Sequence, residues 1–393
     1  MQRQKHRSKS IKVAKHEKIT FFSALPPFRG GIAQFSEQLR KSISKKRDVE
    51  AFTFQKQYPN VLFPGQSQFE DKQAVFHFSR IVSTFRPWTY FYSLWKLKKS
   101  KGQVFITSYW MSFFGPMMGF WAKYLPEKTV KIALIHNLIP HEKRFFDGVF
   151  NRFFLRQYDG FVLLSDAVKM DVLAMKPDAE TLVLKHPSYQ QFGEKIDKRQ
   201  AREILKVNPI KKTLLFFGLI RDYKGLDLLL QSFSMLDNSF QLIIAGEVYG
   251  DRKQYDQLML ESKNQQIYFV DQFIPSDDVK VYFSAADLCV LPYKSATQSG
   301  IKAMCDVFHL PALVSRVGGL HEEISDNENG FVIADSSVIS LANQLTEIFS
   351  DSRLESVSQN IQNQLENKEN EWDVFADSVL KFADMIQQSK KSH

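Results

Sequence analysis

The stretch that decides the fold is LLFFGLIRDYKGLDLLLQSF, from Leu214 to Phe233. Its apolar run ends at Gly218, and the short loop that follows carries Arg221 and Lys224 before Gly225. After that glycine, apolar residues recur at the i, i+3, i+4 and i+7 spacing of an amphipathic helix. The pattern predicts a buried strand, a tight turn and a helix that packs back on a parallel sheet.

The two cations of this turn lie close to a predicted helix N-terminus. Arg221 and Lys224 are three residues apart, so both side chains can reach one diphosphate. Cations and free backbone N–H groups favour phosphate oxygens at such a position. A phosphate-bearing ligand is therefore the first hypothesis, and ion pairing on the protein surface is the alternative.

Length and composition predict a two-domain globular protein. A chain of 393 residues is too long for one ordinary core. Its hydrophobic fraction of 44% and charged fraction of 24% are typical of soluble domains. The two cysteines, Cys289 and Cys305, have apolar neighbours and no metal-ligand spacing, so we expect a reducing, cytoplasmic setting without disulfides.

The net charge of +9 and the pI near 9.2 fit nucleic acid, an anionic membrane or a phosphorylated ligand. The sequence shows no RNA-binding aromatic signature and no zinc finger, so nucleic acid is not expected. Basic residues cluster at the N-terminus, at 40–47 and at 96–101, and the last cluster has these aromatic neighbours in sequence: Trp88, Tyr90, Tyr92 and Trp95. This is either a solvated basic surface or one that attracts anionic lipid headgroups.

Two further segments bear on membrane contact. Residues 1–17 are basic without the apolar core of a signal peptide, and we expect a disordered tail there. The longest apolar stretch, Tyr109 to Leu125, is broken by glycine and proline and is shorter than the roughly 20 residues of a spanning helix. It is predicted to be a buried or interfacial helix rather than a transmembrane segment.

Strand-like apolar runs alternate with helical patterns along the whole chain, as in doubly wound parallel sheets. The predicted strands are 19–25, 50–54, 104–107, 130–136, 160–164 and 181–184 in the first half, and 213–217, 240–245, 267–270, 288–291, 312–315 and 331–333 in the second. A polar segment with Pro and Gly, 186–198, is the predicted linker. We therefore expect a first domain over 18–190, a second over 191–370 and a final helix with a tail over 371–393.

A glycine pair follows the first predicted strand, in PPFRGGIA. Gly30 and Gly31 let backbone amides approach a ligand at the start of a helix. The spacing is not G-x-G-x-x-G, so no dinucleotide fingerprint is present. A plain tight turn is the alternative interpretation.

The segment IHNLIPHE ends another predicted strand. His136, Asn137 and His141 offer donors for sugar hydroxyls or a phosphate, although a buried structural histidine explains His136 equally well. A metal site with Glu142 lacks a third ligand at a suitable spacing.

Two further motifs follow strands in the second half. LPYKSATQSG brings Thr297, Gln298, Ser299 and Gly300 to a helix start, where hydroxyl, amide and N–H groups suit a hydroxyl-rich ligand or a phosphate, or simply cap the helix. In VGGLHEEI, the glycines permit close approach, and the first glutamate accepts hydrogen bonds from ligand hydroxyls or favours the helix dipole.

Taken in order, these motifs resemble the GT4 family of retaining glycosyltransferases. The resemblance covers about Ile19 to Phe382 and is strongest from Leu214 to Ile333, including the segments LIIAGE and VGGLHEEISDNENGF. It implies the GT-B fold, in which two Rossmann-like doubly wound parallel-sheet domains face a central cleft. It also implies that the final helix crosses back onto the first domain.

The resemblance implies a nucleotide-sugar donor such as a UDP- or GDP-sugar. Arg221 and Lys224 would bind its diphosphate in the second domain, and His136 would lie near the transferred sugar. The further donor-binding residues that it implies are Gly30, Gly31, Gly218, Glu247, Thr297, Gln298, Ser299, Gly300, Gly319 and Glu322.

The chain departs from the family pattern at one point. Members typically carry two glutamates with seven residues between them, and the matching positions here are Ala296 and Met304. The segment S-A-T-Q-S-G resembles a variant of the family's glutamate motif, and the sequence on both sides of it still matches the family pattern. Since no D-x-D pair ends a strand, we expect no metal or other cofactor.

The sequence thus predicts a hexosyltransferase-type enzyme in cell-surface glycan or polysaccharide biosynthesis. A lipid-linked glycan is the expected acceptor, and a peripheral position at the inner face of an anionic membrane is the expected location. One alternative acceptor is a soluble sugar or inositol phosphate. Another alternative is a non-catalytic sugar-nucleotide-binding partner of a second transferase.

Overall fold

The chain folds into two α/β domains, each built on a parallel sheet. The computed structural model describes residues 18–58, 67–69, 77–139, 144–296, 299–322, 324–366 and 370–392. The strands of these residues are β1 (Ile19–Phe22), β2 (Val49–Lys56), β3 (Ser79–Ser83), β4 (Val104–Tyr109), β5 (Val130–Ile135), β6 (Gly160–Leu163), β7 (Thr181–Val183), β8 (Lys212–Phe217), β9 (Phe240–Ala245), β10 (Ile267–Val270), β11 (Leu288–Leu291), β12 (Ala312–Val314) and β13 (Phe331–Val332).

Helices connect these strands and cover both sheets. They are α1 (Gly31–Ser44), α2 (Trp88–Ser100), α3 (Gly115–Tyr124), α4 (Asp147–Leu155), α5 (Asp166–Met175), α6 (Lys198–Leu205), α7 (Leu226–Phe233), α8 (Lys253–Glu261), α9 (Val279–Ala285), α10 (Gly300–Val307), α11 (Val338–Ile348), α12 (Arg353–Glu366) and α13 (Glu371–Ser392).

The first sheet has the order β3-β2-β1-β4-β5-β6-β7 within the described residues, and every neighbouring pair is parallel. The sequence predicts all of these strands except β3. This edge strand reads SRIVS, and its first two residues are exposed, so it lacks the continuous apolar run of a central strand. The first predicted strand also ends earlier, at Phe22 instead of Leu25.

The second sheet has the order β10-β9-β8-β11-β12-β13 in the described part of the chain, again with parallel pairs. All six of these strands were expected from the sequence. The strand order reverses beside β1 in the first sheet and beside β8 in the second. Ligands of open parallel sheets bind at the carboxyl ends of strands at such points, so the loops after β1, β4, β8 and β11 are the relevant ones.

Helix α7 packs as its apolar spacing predicts. Leu226, Leu229, Leu230 and Phe233 are fully buried in the core between this helix and the second sheet. Burial of four such side chains, at about 1.5–3 kcal/mol each, anchors the helix and therefore the turn that precedes it. The turn is thus held by rigid elements on both sides.

Helix α13 follows the second domain in sequence but packs against the first. Its acidic side chains pair with cations at the end of α1 and beyond, Asp373 with Lys45 at 2.8 Å and Asp384 with Arg47 at 2.9 Å. Its apolar face reaches β6, where a Cβ added at Gly160 would lie 2.2 Å from Ile386 Cδ1. The last helix therefore completes the layer over the first sheet.

The apolar stretch from Tyr109 to Leu125 is divided between elements. It comprises the end of β4, a 3₁₀ turn over Ser112–Phe114 and helix α3, and Trp121 and Met118 in this helix are fully buried. Among the described residues, no helix has the length and apolar character needed to span a bilayer.

Candidate active site

The turn after β8 is shaped by two glycines. Gly218 has a φ of 94° and Gly225 a φ of 70°, and a one-turn 3₁₀ segment over Asp222–Lys224 joins them. A Cβ at Gly225 would lie only 2.0 Å from the carbonyl oxygen of Pro292, in the loop after β11. Glycine is therefore required where the two loops meet at the switch point.

Lys224 is buried in this turn and is 8% exposed. Its ammonium lies 5.6 Å from the centre of the Tyr293 ring. Burial and, to a smaller extent, the positive charge of Arg221 together lower the pKa of Lys224 to about 8. A buried cation of this kind is stabilised when an anion binds beside it.

Arg221 faces the first domain across the cleft. Its guanidinium carbon lies 5.3 Å from the centre of the Tyr249 ring. Its charge also acts on Tyr58, a first-domain residue that accepts a hydrogen bond from Trp110 Nε1 at 2.9 Å. Burial raises the pKa of Tyr58 to about 12, whereas the hydrogen bond from Trp110 and the charge of Arg221 oppose this rise.

An ion pair spans the cleft between the loops after β1 and β9. Arg29 Nη2 donates to Glu247 Oε2 at 2.5 Å and to the Tyr249 hydroxyl at 3.1 Å. The two charged side chains are only 10% and 12% exposed, and the Arg29 guanidinium lies 5.1 Å from the Phe273 ring centre. The sequence indicated Glu247 but not Arg29, although Arg29 directly precedes the predicted glycine pair.

The glycine pair lies at the beginning of α1. Gly30 has a φ of 99° and a ψ of 167°, a conformation that is close to exclusive to glycine, and no side chain caps the helix. The first turn contains no acidic residue, so the partial positive charge of this helix end is not offset locally. Gly31 starts the helix, and a Cβ there would make ordinary contact, at 3.8 Å, with the Tyr189 hydroxyl.

His136 lies at the carboxyl end of β5 and is 3% exposed. Within the described residues, its Nε2 and the Oδ1 of the adjacent Asn137 have no hydrogen-bond partner. Burial lowers the pKa of His136 to about 3, with a further contribution from His186. The imidazole is therefore neutral at physiological pH.

His186 and Tyr189 form a junction in the linker that sequence reasoning missed. His186 Nε2 lies 3.1 Å from the Tyr189 hydroxyl, and its Nδ1 lies 2.8 Å from the Pro187 carbonyl oxygen. Tyr189 OH donates to the Gly31 carbonyl at 3.4 Å, and its ring would contact a Cβ at Gly300 at 3.3 Å. One tyrosine thus joins the helix starts of both domains.

The loop after β11 leads into α10. Ser299 caps this helix by accepting a hydrogen bond from the Ile301 N–H at 3.3 Å. The capping interpretation of Ser299 is confirmed in the described part of the loop, whereas Thr297 and Gln298 lie outside the described residues. Ala296 and Met304, which replace the paired glutamates of the family pattern, are both buried in the apolar core.

Glu322 directly follows a 3₁₀ turn, Gly318–His321, in which Gly319 and Leu320 are buried. Its Oε2 accepts a hydrogen bond at 3.3 Å from the backbone N–H of Asp166, at the start of α5 in the first domain. A carboxylate is favoured at that helix end by the dipole. Glu322 therefore contacts the first domain across the cleft.

The structure thus collects the predicted residues at the facing carboxyl edges of two sheets. Gly30, Gly31 and His136 come from the first sheet, and Arg221, Lys224, Glu247, Gly300 and Glu322 come from the second. Among the described side chains, no group of three or more His, Cys, Asp or Glu residues is arranged to hold a metal ion.

Two doubly wound parallel-sheet domains with these loops at a shared cleft define a GT-B fold. Solved structures confirm this fold. Sucrose-phosphate synthase from Thermosynechococcus elongatus superposes with a TM-score of 0.77 at 17% identity, over 96% of this chain and 100% of that one. HepE from Anabaena, solved with UDP and glucose, has a TM-score of 0.72 at 14% identity over the same shares.

Residues 197–367 match the family model described as Glycosyl transferases group 1. The matched residues lie in the second half of the chain, which is thus similar to the domain that this model describes. The D-inositol 3-phosphate glycosyltransferase of Corynebacterium diphtheriae is 22% identical over 186 residues, which are 44% of this chain and 43% of that protein. The chain therefore matches less than half of the length of this curated relative.

Proposed function

We propose that the protein is a retaining glycosyltransferase that moves one sugar from a nucleotide diphosphate sugar to a hydroxyl acceptor. The observation that carries the proposal is the pair Arg221 and Lys224 at the carboxyl end of β8, with Lys224 buried and its pKa lowered by that burial. A diphosphate in the cleft would accept charge-assisted hydrogen bonds from both cations. The UDP held by the similarly folded HepE agrees with a donor of this class.

The donor side of the reaction depends on stabilisation of the leaving group. As the bond between the anomeric carbon and the diphosphate oxygen breaks, negative charge grows on that oxygen. Arg221, Lys224 and the helix start at Gly30 and Gly31 would stabilise it without a metal ion. Preorganised cations in a poorly hydrated cleft contribute most where charge develops.

The acceptor side requires orientation more than a strong base. In a front-face reaction, the acceptor hydroxyl attacks the anomeric carbon and its proton passes to the departing diphosphate oxygen. Neutral His136 and Asn137 have unpartnered buried atoms within the described residues, and sugar hydroxyls would satisfy them. The protein would thus supply mainly positioning and electrostatic stabilisation.

We propose that the acceptor is a glycan carried on a lipid, in cell-surface glycan or polysaccharide assembly at an anionic membrane. A soluble inositol phosphate acceptor is the second candidate, because the C. diphtheriae relative is named as a D-inositol 3-phosphate glycosyltransferase. A non-catalytic sugar-nucleotide binder is the third, because Ala296 and Met304 bring no carboxylate to the motif.

A thermal-shift panel of UDP-, GDP- and ADP-sugars tests the donor class, since a ligand that prefers the native state raises the unfolding temperature. Transfer and donor hydrolysis are then measured with and without EDTA, and the anomeric configuration of the product is determined by NMR. We expect the double variant Arg221→Ala, Lys224→Ala to lose the thermal shift and activity. The matched control Arg199→Ala, Lys263→Ala removes two exposed cations of the same domain and should behave as the wild type.

Each outcome distinguishes the candidates. Binding without transfer or hydrolysis would identify a binder rather than an enzyme. Loss of activity with EDTA would contradict metal independence, and an inverted anomer would contradict retention. A double variant that still binds and transfers would exclude the proposed role of the two cations.

A further inference from the structure

Helix α2 is oriented with its aromatic side outward. Its buried residues are Leu94 and Leu97 together with Thr89, Ser93 and Ser100, whereas four large aromatic residues are exposed. Trp88 is 67%, Phe91 66%, Tyr92 46% and Trp95 53% exposed. The bulkiest apolar side chains of this helix therefore face solvent, where a surface helix usually carries polar residues.

The exposed aromatic residues form one continuous stripe. Positions 88, 91, 92 and 95 follow the i, i+3, i+4, i+7 spacing of a single helix face. Lys96 and Lys99 continue this stripe, and their ammonium groups lie 5.5 and 5.2 Å from the Trp95 ring centre. The face thus combines aromatic rings with cations.

Helix α3 extends the same surface. Phe120 lies 5.2 Å from Phe91 between ring centres and 4.9 Å from Tyr124. Tyr124 is 49% exposed, and Lys123 is exposed beside it with its ammonium 5.7 Å from the ring centre. We call the surface formed by Trp88, Phe91, Tyr92, Trp95, Lys96, Lys99, Lys123 and Tyr124 the aromatic–lysine face.

The sequence around this face carries one sign of charge. No Asp or Glu occurs between Asp71 and Glu127, although the chain contains 43 acidic residues. The same segment contains these basic residues: Lys72, Arg80, Arg86, Lys96, Lys98, Lys99, Lys101 and Lys123. The partner that complements the face must therefore be anionic and must also accept aromatic side chains.

We propose that the aromatic–lysine face docks the protein on a lipid surface that bears anionic headgroups. Trp and Tyr rings favour the boundary between headgroups and acyl chains, and lysines are attracted to the negative surface potential. Helix α2 starts after the carboxyl end of β3, so Trp88 lies toward the sheet edge that faces the cleft. Docking there would bring a lipid-carried acceptor toward the first domain, and this last consequence alone rests on the proposed function.

The test is flotation of the full-length protein with vesicles of phosphatidylcholine alone or with phosphatidylglycerol added. We expect at least about tenfold tighter binding to the anionic vesicles, weakened by salt. The variant W88S/F91S/Y92S/W95S should lose binding to both kinds of vesicle. The matched control L260S/I339S changes two residues that are 83% and 62% exposed in the second domain, and it should float as the wild type does.

The charge contribution is tested separately. K96E/K99E should weaken binding to anionic vesicles about 30-fold or more, because each lysine near the surface contributes about 1 kcal/mol. Binding to neutral vesicles should not change. K253E/K263E, on exposed positions of the second domain, is its control. Quenching of tryptophan fluorescence by brominated lipid should depend on Trp88 and Trp95, since Trp121 and Trp372 are buried. The fifth tryptophan, Trp110, is half-buried and donates a hydrogen bond to Tyr58, away from the aromatic–lysine face.

Three results would overturn the proposal. The first is that the aromatic variant floats as well as the wild type, and the second is that the wild type binds neither kind of vesicle. The third is that light scattering shows a wild-type dimer and a monomeric aromatic variant, which would assign the face to self-association. Flotation needs neither donor nor acceptor. The thermal shift with nucleotide-sugars should be unchanged in every docking variant, so a failure of docking and a failure of the transferase proposal are separate results.

Discussion

Replacing Lys224 with methionine should stabilise the ligand-free protein and, at the same time, weaken diphosphate binding. Lys224 is 8% exposed, and its burial, together with the charge of Arg221, lowers its pKa from 10.5 to about 8. The unfolded chain therefore binds this proton more tightly than the folded one. This difference in proton binding lowers the free energy of unfolding. The loss of stability is fully present below pH 8, and it declines as the pH rises from 8 to 10.5.

The expected size follows from the difference between the two pKa values. At about 1.4 kcal/mol per pH unit, the upper limit of the cost is about 3 kcal/mol. Because methionine fills a similar volume without charge, Lys224→Met should raise the free energy of unfolding at pH 7 by about 1–3 kcal/mol. Urea unfolding measures this change, and Lys263→Met, at an exposed position, should leave it unaltered.

Binding should change in the opposite direction. With a pKa of about 8, the charged fraction of Lys224 falls from about nine-tenths at pH 7 to about one-tenth at pH 9. The terminal phosphate of a nucleoside diphosphate, with a pKa near 6, keeps its charge over this range. The wild-type Kd for the diphosphate that stabilises the protein most should therefore rise about tenfold from pH 7 to pH 9.

Calorimetric titration at constant ionic strength measures this slope. Lys224→Met should bind about 10–100-fold more weakly at pH 7, from the loss of one charge-assisted contact, and its Kd should not vary with pH. Lys263→Met should keep the wild-type slope. A wild-type Kd that is constant between pH 7 and 9, or a slope that survives in Lys224→Met, would refute the assignment of Lys224 to the diphosphate.

Three other experiments have defined expectations. Gly225→Ala should lower the free energy of unfolding by about 3 kcal/mol or more, because the added Cβ would lie 2.0 Å from a carbonyl oxygen. The control is Gly148→Ala, on a helix with open space at the added Cβ. Equal effects of the two substitutions in urea unfolding would contradict the reasoning. Trp372 is 4% exposed and packs against Phe35 and Tyr189, so Trp372→Ala should lower the free energy of unfolding by about 3–5 kcal/mol. An unchanged urea midpoint would be the contrary result. A double-mutant cycle on Arg29→Ala and Glu247→Ala should give a coupling of about 1–3 kcal/mol, whereas additive effects would show that the pair does not hold the cleft.

The sequence was sufficient for most of the fold because parallel strands are buried on both faces. Strands such as β9 and β11 are continuous apolar runs, and both were predicted with the correct bounds. The edge strand β3 was not predicted, since only its last three residues are buried. The apolar pattern therefore identified central strands better than marginal ones.

The site was predictable where the loops that form it follow predicted strands. Arg221, Lys224 and the glycine pair were found in this way. Arg29 was not, because its partner Glu247 is 218 residues away and the contact depends on how the two domains face each other. No local pattern in a single sequence contains that information.

The path of α13 has a consequence for how the protein folds while it is synthesised. As the ribosome releases the chain, residues of the first sheet emerge well before Phe382 and Ile386, whose side chains cover Gly160. Until α13 has left the ribosome, that part of the nascent first domain is open to solvent or to a chaperone. Fragments that stop before the last helix should therefore be prone to aggregate, and expression of the first domain alone would require this helix to be grafted back.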